Sequence, residues 1–556
     1  MIVYSFDIFD TCLIRKCGAP QNLLDILALQ VFNEQVPEHV RMEFIMARRM
    51  ADISTDDNPY AKLVDIYDAL QFSHPLLKDK TQLINLELEL EHQMLVPIPK
   101  MIDLINQLRK NGYRIVFISD MYLSADFLAS VLAEAGLMHE GDKLYVSCEI
   151  GKRKVDGELF KYIQTTEQIK YRDWIHYGDN LKSDYQVPRS LGITAKRVEW
   201  GYTPYQKAWY AQNYTPGNRI AETMAGLCRC LHFTLPDSPH KDFLLDLAAP
   251  MFVAFTCRVL RKAQGEEIKR LYFCARDAKL CFHIAELLRP LFPGLSVHYL
   301  YISRDALYKG NPIARMKYFE QCGLASKTEK CAIVDLRTTG RTLMVLNEQL
   351  HEAGYQQVNG FFFEMFCSGK MDYVQSNYYA ELLSPYYSQK PSCMPAYAHY
   401  NLIEKYISLH NEKRTIDYVV TEGEASPLFA DRQTESPDED AITHNMEQRC
   451  AEHREIVLAF TRLFVESELY RSADAVFDVA IRTWMSFTRY PERYYLSALT
   501  DFYTSKPQSD VVLPYIRKMG IFELFRTRGG RSIWPQASIV YSLPEWLGNV
   551  YKMKKC

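Results

Sequence analysis

The stretch Val3-Tyr4-Ser5-Phe6-Asp7-Ile8-Phe9-Asp10-Thr11 decides how this chain is read. A β-forming run ends on Asp7, and a second carboxylate follows at Asp10. That pattern predicts a first strand with acids at its mouth. In an open parallel sheet, ligands bind outside the carboxyl ends of the strands. What the other strand ends bring to the same edge therefore settles what the acids are for.

Working outward, residues up to about 95 place apolar side chains at three- and four-residue spacing and predict helices, with the first strand as the one break in the block. The rhythm changes at "IPKMIDLINQLRKNGYRIVFISDMYLS": a helix after Pro99, a stop at Gly112 and a buried strand from Arg114 to Ile118. Helix and strand then alternate through "KLYVS", "WIHYG" and "AKRVEW". Such alternation predicts a doubly wound α/β domain over residues 1–200. Its strand ends carry Asp7, Ser119, Lys154 in "GKRKVDGELF", and Asp179 and Asp184 in "GDNLKSD".

Carboxylates, a hydroxyl and an ammonium at one edge suit a phosphate bound beside a metal. Mg2+ takes hard oxygen ligands and needs only one or two carboxylates, a backbone carbonyl and substrate phosphate. Asp7 and Asp179 form the natural pair. A carboxylate held by a cation and a lysine stays ionised and can attack phosphorus in line, while Ser119 and Lys154 hold the phosphoryl oxygens.

These four segments, "FDIFDTCL", "VFISD", "GKRKVDGELF" and "HYGDNLKSD", resemble in order the four motifs of the haloacid dehalogenase (HAD) superfamily of aspartyl-nucleophile hydrolases. More narrowly, "SFDIFDT" with "SDMYLS" resembles a bacterial subgroup of hydrolases associated with surface polysaccharides and glycosyltransferases. The resemblance covers about residues 1–200. It implies a Rossmann-like core with a helical cap at about 16–95, catalytic Asp7, Ser119 and Lys154, and Mg2+ held by Asp7, the Phe9 carbonyl, Asp179 and Asp184. It also implies a small phosphorylated substrate and association with glycosyltransferase machinery. The departure is Phe9, which stands where most phosphatases of the superfamily carry an acid for the leaving group. Asp10 falls one residue late, on the opposite face if the strand continues, and is read as support for the loop. Dehalogenases of the superfamily also carry an aromatic residue there, but the GDxxxxD segment favours metal and phosphate. A binding or regulatory module without turnover is the reading of a different class.

With 556 residues the chain exceeds one hydrophobic core and should divide. Residues 201–235 are read as a crossing, and 236–420 as a second α/β domain with strands at "IKRLYFCA", "SVHYLYI", "CAIVDL" and "VNGFFFEMF". The acidic stretch 421–445 is read as a loop, and 446–556 as a helical end with a solvated basic tail. In "IVDLRTTGRTL", Asp335, Thr338, Thr339, Gly340 and Thr342 form a strand-to-helix loop suited to a phosphate. It resembles the ribose-phosphate loop of type I phosphoribosyltransferases, with Val334 in place of the first of two acids. Arg276-Asp277 and Arg304-Asp305 follow two further strands, and the alternative for them is buried ion pairs.

The formal net charge of −3 argues against nucleic acid as a partner. Asp7 and Asp10 interrupt what would be the core of a signal peptide, and Asp246 and Pro250 break the longest apolar run, so a cytoplasmic protein without membrane insertion is expected. The 14 cysteines show no zinc-site spacing and read as reduced, buried thiols.

Overall fold

Strand β1 (Val3–Phe6) is buried on both faces, as a strand in the middle of a parallel sheet must be. In the computed structural model the described residues are 2–32, 36–211, 219–365, 378–383, 398–399, 401–431, 446–505, 511–520, 523–524 and 531–555. They form two compact units, Met1–Pro236 and Asp237–Cys556.

After β1 the chain makes a short strand β2 (Leu13–Arg15), which pairs antiparallel with β3 (Leu95–Pro97). The first block therefore holds more than one strand: three residues are enough for a ribbon where the helical segment leaves and rejoins the core. Between the two strands lie helices Asn22–Val31, Glu38–Thr55, Leu63–Asp68 and Lys80–Met94. The last begins on Asp79, whose side chain accepts from the Gln82 N–H. Phe32, Phe44 and Phe72 meet edge to face inside this helical layer.

β4 (Arg114–Ser119), β5 (Lys143–Val146), β6 (Trp174–Gly178) and β7 (Thr194–Arg197) complete a sheet of order β5-β4-β1-β6-β7, all parallel. The order reverses direction at β1, the place where such a sheet opens a crevice. Leu159, Phe160 and Ile163 of helix Glu158–Thr166 seal one face against Val3, Val116, Ile118 and Trp174. The expected crossing at 201–235 contains two helices of the first unit, Pro204–Ala211 and Ile220–Thr234. Gly226 on the second is needed there, since a Cβ would stand 2.2 Å from the Gly18 nitrogen.

The second unit has its own parallel sheet of β8 (Arg270–Cys274), β9 (Ser296–Leu300), β10 (Cys331–Thr338), β11 (Asn359–Met365) and β12 (Tyr378–Leu383), ordered β12-β11-β10-β8-β9. Helix Lys241–Gly265, which contains the apolar run that Asp246 and Pro250 were expected to break, is long and apolar enough to cross a membrane, yet 94% of its most apolar 18-residue window is buried inside the protein. Helices Met446–Glu466 and Ala473–Arg489 pack against it, so the helical end belongs to the same unit. The acidic stretch is not a loop throughout. β13 (Thr415–Thr421) and β14 (Glu424–Phe429) form an antiparallel hairpin, because Tyr418 and Ala425 are buried while the acids point outward. Residues 384–397, 400 and 432–445 lie outside the described residues. The basic tail continues helix Glu545–Lys555.

Candidate active site at the carboxyl edge of the first sheet

Asp7 follows β1 and its backbone N–H donates to the Tyr177 carbonyl at 2.8 Å, which holds it to β6. Its two carboxylate oxygens are claimed separately. Lys154 Nζ donates to Oδ1 at 2.5 Å, and the Thr11 hydroxyl donates to Oδ2 at 3.1 Å. Lys154 Nζ also donates to Asp184 Oδ1 at 2.7 Å. Oxygens of Asp7, Asp179 and Asp184 all lie within 4.8 Å of one another. The structure thus brings together Asp7, Lys154, Asp179 and Asp184. Ser119, the last residue of β4, is buried at the same edge, and its hydroxyl makes no hydrogen bond among the described residues.

Asp184 is the most constrained of the acids. It sits in a wide turn, Leu181–Gln186, started by Asn180, whose side chain accepts from the Lys182 and Ser183 N–H groups. Gly178 makes room for it, because a Cβ there would stand 2.4 Å from the Asp184 Cβ. Beneath it runs a buried chain of hydrogen bonds. Trp174 Nε1 donates to Ser5 Oγ at 2.7 Å, and Ser5 Oγ lies 2.7 Å from His176 Nδ1. The ionised Asp184 carboxylate can only accept, so the proton of the neutral His176 ring sits on Nε2, 3.2 Å from Asp184 Oδ1, and Ser5 donates to Nδ1. Burial lowers the pKa of His176, so it serves as a neutral donor.

Burial would raise Asp184, but Lys154 and His176 hold its carboxyl below the usual carboxylate range. Burial pushes Asp7 up to about 8; Lys154 opposes this, and Asp184 and Asp179 reinforce it. Asp179 is also raised, by burial and then by the charges of Asp10 and Asp184. For Lys154, burial is outweighed by Asp7, Asp184 and Asp120, which keep it charged. Three acids thus face one lysine, and their full ionisation needs more positive charge than the chain supplies. Hard oxygen donors in excess of local cations fit a divalent ion of the Mg2+ type.

Phe9 and Asp10 take different directions. β1 ends before Asp7, and the Cys12 and Leu13 N–H groups both return to the Ile8 carbonyl at 2.9 Å, which closes a tight loop. Asp10 has a φ of +53°, a left-handed conformation that Asp tolerates better than most residues. That turn places Asp10 Oδ1 3.3 Å from Arg229 Nη1, and its charge is felt at Asp179. The Phe9 ring instead lies under the Arg15 guanidinium at 4.3 Å, and Arg15 is bidentate to Glu91. The Phe9 carbonyl accepts no hydrogen bond among the described residues.

Sequence reasoning missed four contributors. Thr11 bridges Asp7 to Asp179, at 3.4 Å from Asp179 Oδ1. Asp120 accepts the Lys154 backbone N–H on both oxygens at 2.9 Å and so fixes the lysine loop. His176 and Arg229 are the others. Thr11 and Asp120 stand beside residues that were chosen and were open to notice, whereas Arg229 comes from a distant helix with no motif around it.

In the second unit, Asp335 lies on β10 and Thr338 ends that strand. Thr338 Oγ1 accepts from the Gly340 N–H at 3.0 Å. Thr339 is exposed, Gly340 is left-handed (φ +83°), and Thr342 lies in the first turn of helix Arg341–Glu352. Asp305 pairs with Arg414 at 3.0 Å and Lys309 at 3.2 Å rather than with Arg304.

No family model matches this chain, and no curated protein matches it. Among solved structures, it is similar to an L-2-haloacid dehalogenase from Xanthobacter autotrophicus at 12% identity, covering 42% of this chain and 100% of that one, with a TM-score of 0.30. A HAD phosphatase from Thermococcus onnurineus is similar at 17% identity over 36% of this chain and 90% of its own, with a TM-score of 0.28. A magnesium-bound HAD-type protein from Bacillus subtilis shares 17% identity over 34% of this chain and 84% of its own, with a TM-score of 0.26. The neighbours thus include dehalogenases and phosphatases of the HAD superfamily.

Proposed function

We propose that the first unit is a Mg2+-dependent HAD-type phosphohydrolase or phosphotransferase that works through a phospho-aspartate on Asp7. One observation carries the reading: Asp7, Asp179 and Asp184 meet within 4.8 Å, and a single buried lysine donates to two of them. Three anions around one ammonium make a poor cradle for a halide, but a good one for a cation that a phosphate can share. Asp7 and Asp179, with the Phe9 carbonyl, would hold the Mg2+, and Asp184 would orient Lys154. Bound there, the ion offsets the charge of the nucleophile and the phosphoryl group.

In the reaction an Asp7 oxygen attacks phosphorus and the ester P–O bond breaks, so the leaving oxygen takes the electron pair. Ser119 donates its free hydroxyl to a phosphoryl oxygen, and Lys154 balances the growing negative charge. Water then cleaves the acyl phosphate and regenerates Asp7. The substrate class is a small phosphorylated compound, a sugar phosphate or nucleotide-linked precursor of a surface polymer, handled in the cytoplasm beside glycosyltransferases.

The test is phosphate release from 4-nitrophenyl phosphate with and without Mg2+, and with Asp7→Asn. The expected result is a Mg2+-dependent rate that falls at least about a thousandfold in the variant. A rate indifferent to both changes would overturn the proposal.

A further inference from the structure

Helices Lys279–Leu288 and Met446–Glu466 of the second unit pack against each other, and beside their contact lies a small cavity of about 30 Å3. Lys279 and His283 line it from the first helix, one turn apart. Cys450, His453 and Arg454 line it from the second, at the three- and four-residue spacing that puts side chains on one face. His410 enters from the stretch after the wide turn Asn401–Ile407. Three imidazoles and a thiol thus meet from separate segments, so no local spacing in the sequence announces them.

Each ring turns one nitrogen toward an acceptor and leaves the other without a partner. His453 is 2% exposed, and its Nδ1 lies 3.0 Å from the Tyr406 carbonyl, which only accepts, so Nδ1 carries the proton and Nε2 the lone pair. His283 Nδ1 lies 3.2 Å from Glu286 Oε2, which fixes the same tautomer. His410 Nε2 faces Asp277 Oδ1 at 3.9 Å, which favours the proton on that side and the lone pair on Nδ1. His453 Nε2, His283 Nε2 and His410 Nδ1 are all buried, and none has a hydrogen-bond partner among the described residues. Burial lowers the pKa of all three rings, His410 and His453 to about 3, so the lone pairs persist at neutral pH.

Three lone pairs cannot satisfy one another, and burying them without a donor is costly. A cavity of this size has room for a water or a single ion and excludes an organic ligand. Water has two protons to give, which leaves one ring unanswered, whereas a Lewis-acidic cation serves all three nitrogens at once. Imidazoles with a thiol are a donor set for Zn2+, in contrast with the oxygen set of Asp7, Asp179 and Asp184. A bond from the far ring nitrogen to a carbonyl or carboxylate, as at His453 and His283, is what orients imidazole on a metal. Of the two cations at the cavity, Lys279 is held by Glu412 at 2.6 Å, and Glu286 and Asp277 stand behind two of the rings to offset Arg454. Burial pushes the Cys450 thiol up to about 11, and a bound ion displaces that proton.

We propose that His283, His410, His453 and Cys450 bind a zinc-type transition-metal ion that ties the two helices to the stretch after Ile407. The thiol gives its proton to solvent as the sulfur takes the metal. No three of these donor atoms yet lie within 4.8 Å of one another, as those of the acid triad do, so binding closes the site. His283 and His410, with side chains 24% and 13% exposed, are the rings with room to move. The site is independent of the reaction proposed for the first unit.

Titrating the full chain with Co2+ as the probe tests this, in about 5 mM Mg2+ to fill the acids of the first unit. Nitrogen and sulfur donors in a tetrahedral array give Co2+ strong visible absorption, whereas octahedral oxygen sites give weak bands. The expected result is strong absorption that saturates at one ion per chain, disappears when Zn2+ displaces the probe, and is unchanged in Asp7→Asn. Cys450→Ser should remove the thiolate-to-metal band. His283→Gln and His410→Gln should each weaken binding at least about tenfold with the melting transition retained; these two rings are partly exposed and keep the test open if His453→Gln fails to fold. Weak bands alone, absorption unchanged in both of these histidine variants, or absorption lost in Asp7→Asn would each overturn the proposal.

Discussion

At the residue scale, Phe9 decides what the first site can do. Its side chain has no titratable proton to give a leaving group, and Asp10 is turned toward Arg229. Leaving groups that depart as stable anions should therefore react much faster than alkoxides. We expect 4-nitrophenyl phosphate to be cleaved about 10²–10⁴-fold faster than glycerol 1-phosphate, the range that a general acid usually supplies. A ratio near one would show that another acid serves the site, and a ratio that rises in Asp10→Asn would identify it as Asp10. Asp7, Ser119, Lys154, Asp179 and Asp184 were legible in the sequence because each closes an apolar strand or the loop after one. Asp10 was not, because a φ of +53° reverses a side chain that strand periodicity would send to the other face.

At the scale of elements, the helical layer is held by buried charge as well as by apolar packing. Arg48 donates to both oxygens of Glu87, at 3.1 and 2.6 Å, and Tyr67 adds its hydroxyl to Glu87 at 2.6 Å. Both side chains of the ion pair are at most 1% exposed. Removing one partner leaves a buried charge unopposed, so Arg48→Met should destabilise the first unit by about 3–5 kcal/mol in urea unfolding. The double variant Arg48→Met/Glu87→Met should recover most of that loss. If it is as unstable as the single variant, packing rather than charge holds the layer. The helices themselves were legible from apolar spacing, but β2 and β3 were not: three-residue strands have too little pattern to register.

For the whole molecule, stability should depend on pH through the second unit. Burial, with Asp277 beside it, pushes Asp335 up to about 7, above the ordinary aspartate value of 3.8. The folded state holds that proton more tightly than the unfolded chain, so the associated stability is full below about pH 4 and is lost as pH rises through about 7. Asp335→Asn lacks this loss. Relative to wild type, it should gain on the order of 2 kcal/mol between pH 5 and pH 8, measured by denaturant unfolding. Equal gains at both pH values would show that the folded state binds the Asp335 proton no more tightly than the unfolded chain. By itself the sequence determined the alternation of strands and helices in both halves, and with it the strand ends on which reactive side chains stand, because burial periodicity is written locally. Only the tertiary structure decided which of those side chains touch. Lys154 reaches both Asp7 and Asp184, Arg229 answers Asp10 from more than two hundred residues away, and Asp277 and Asp335 share one edge. Such contacts depend on sheet order and loop conformation, which local spacing does not encode.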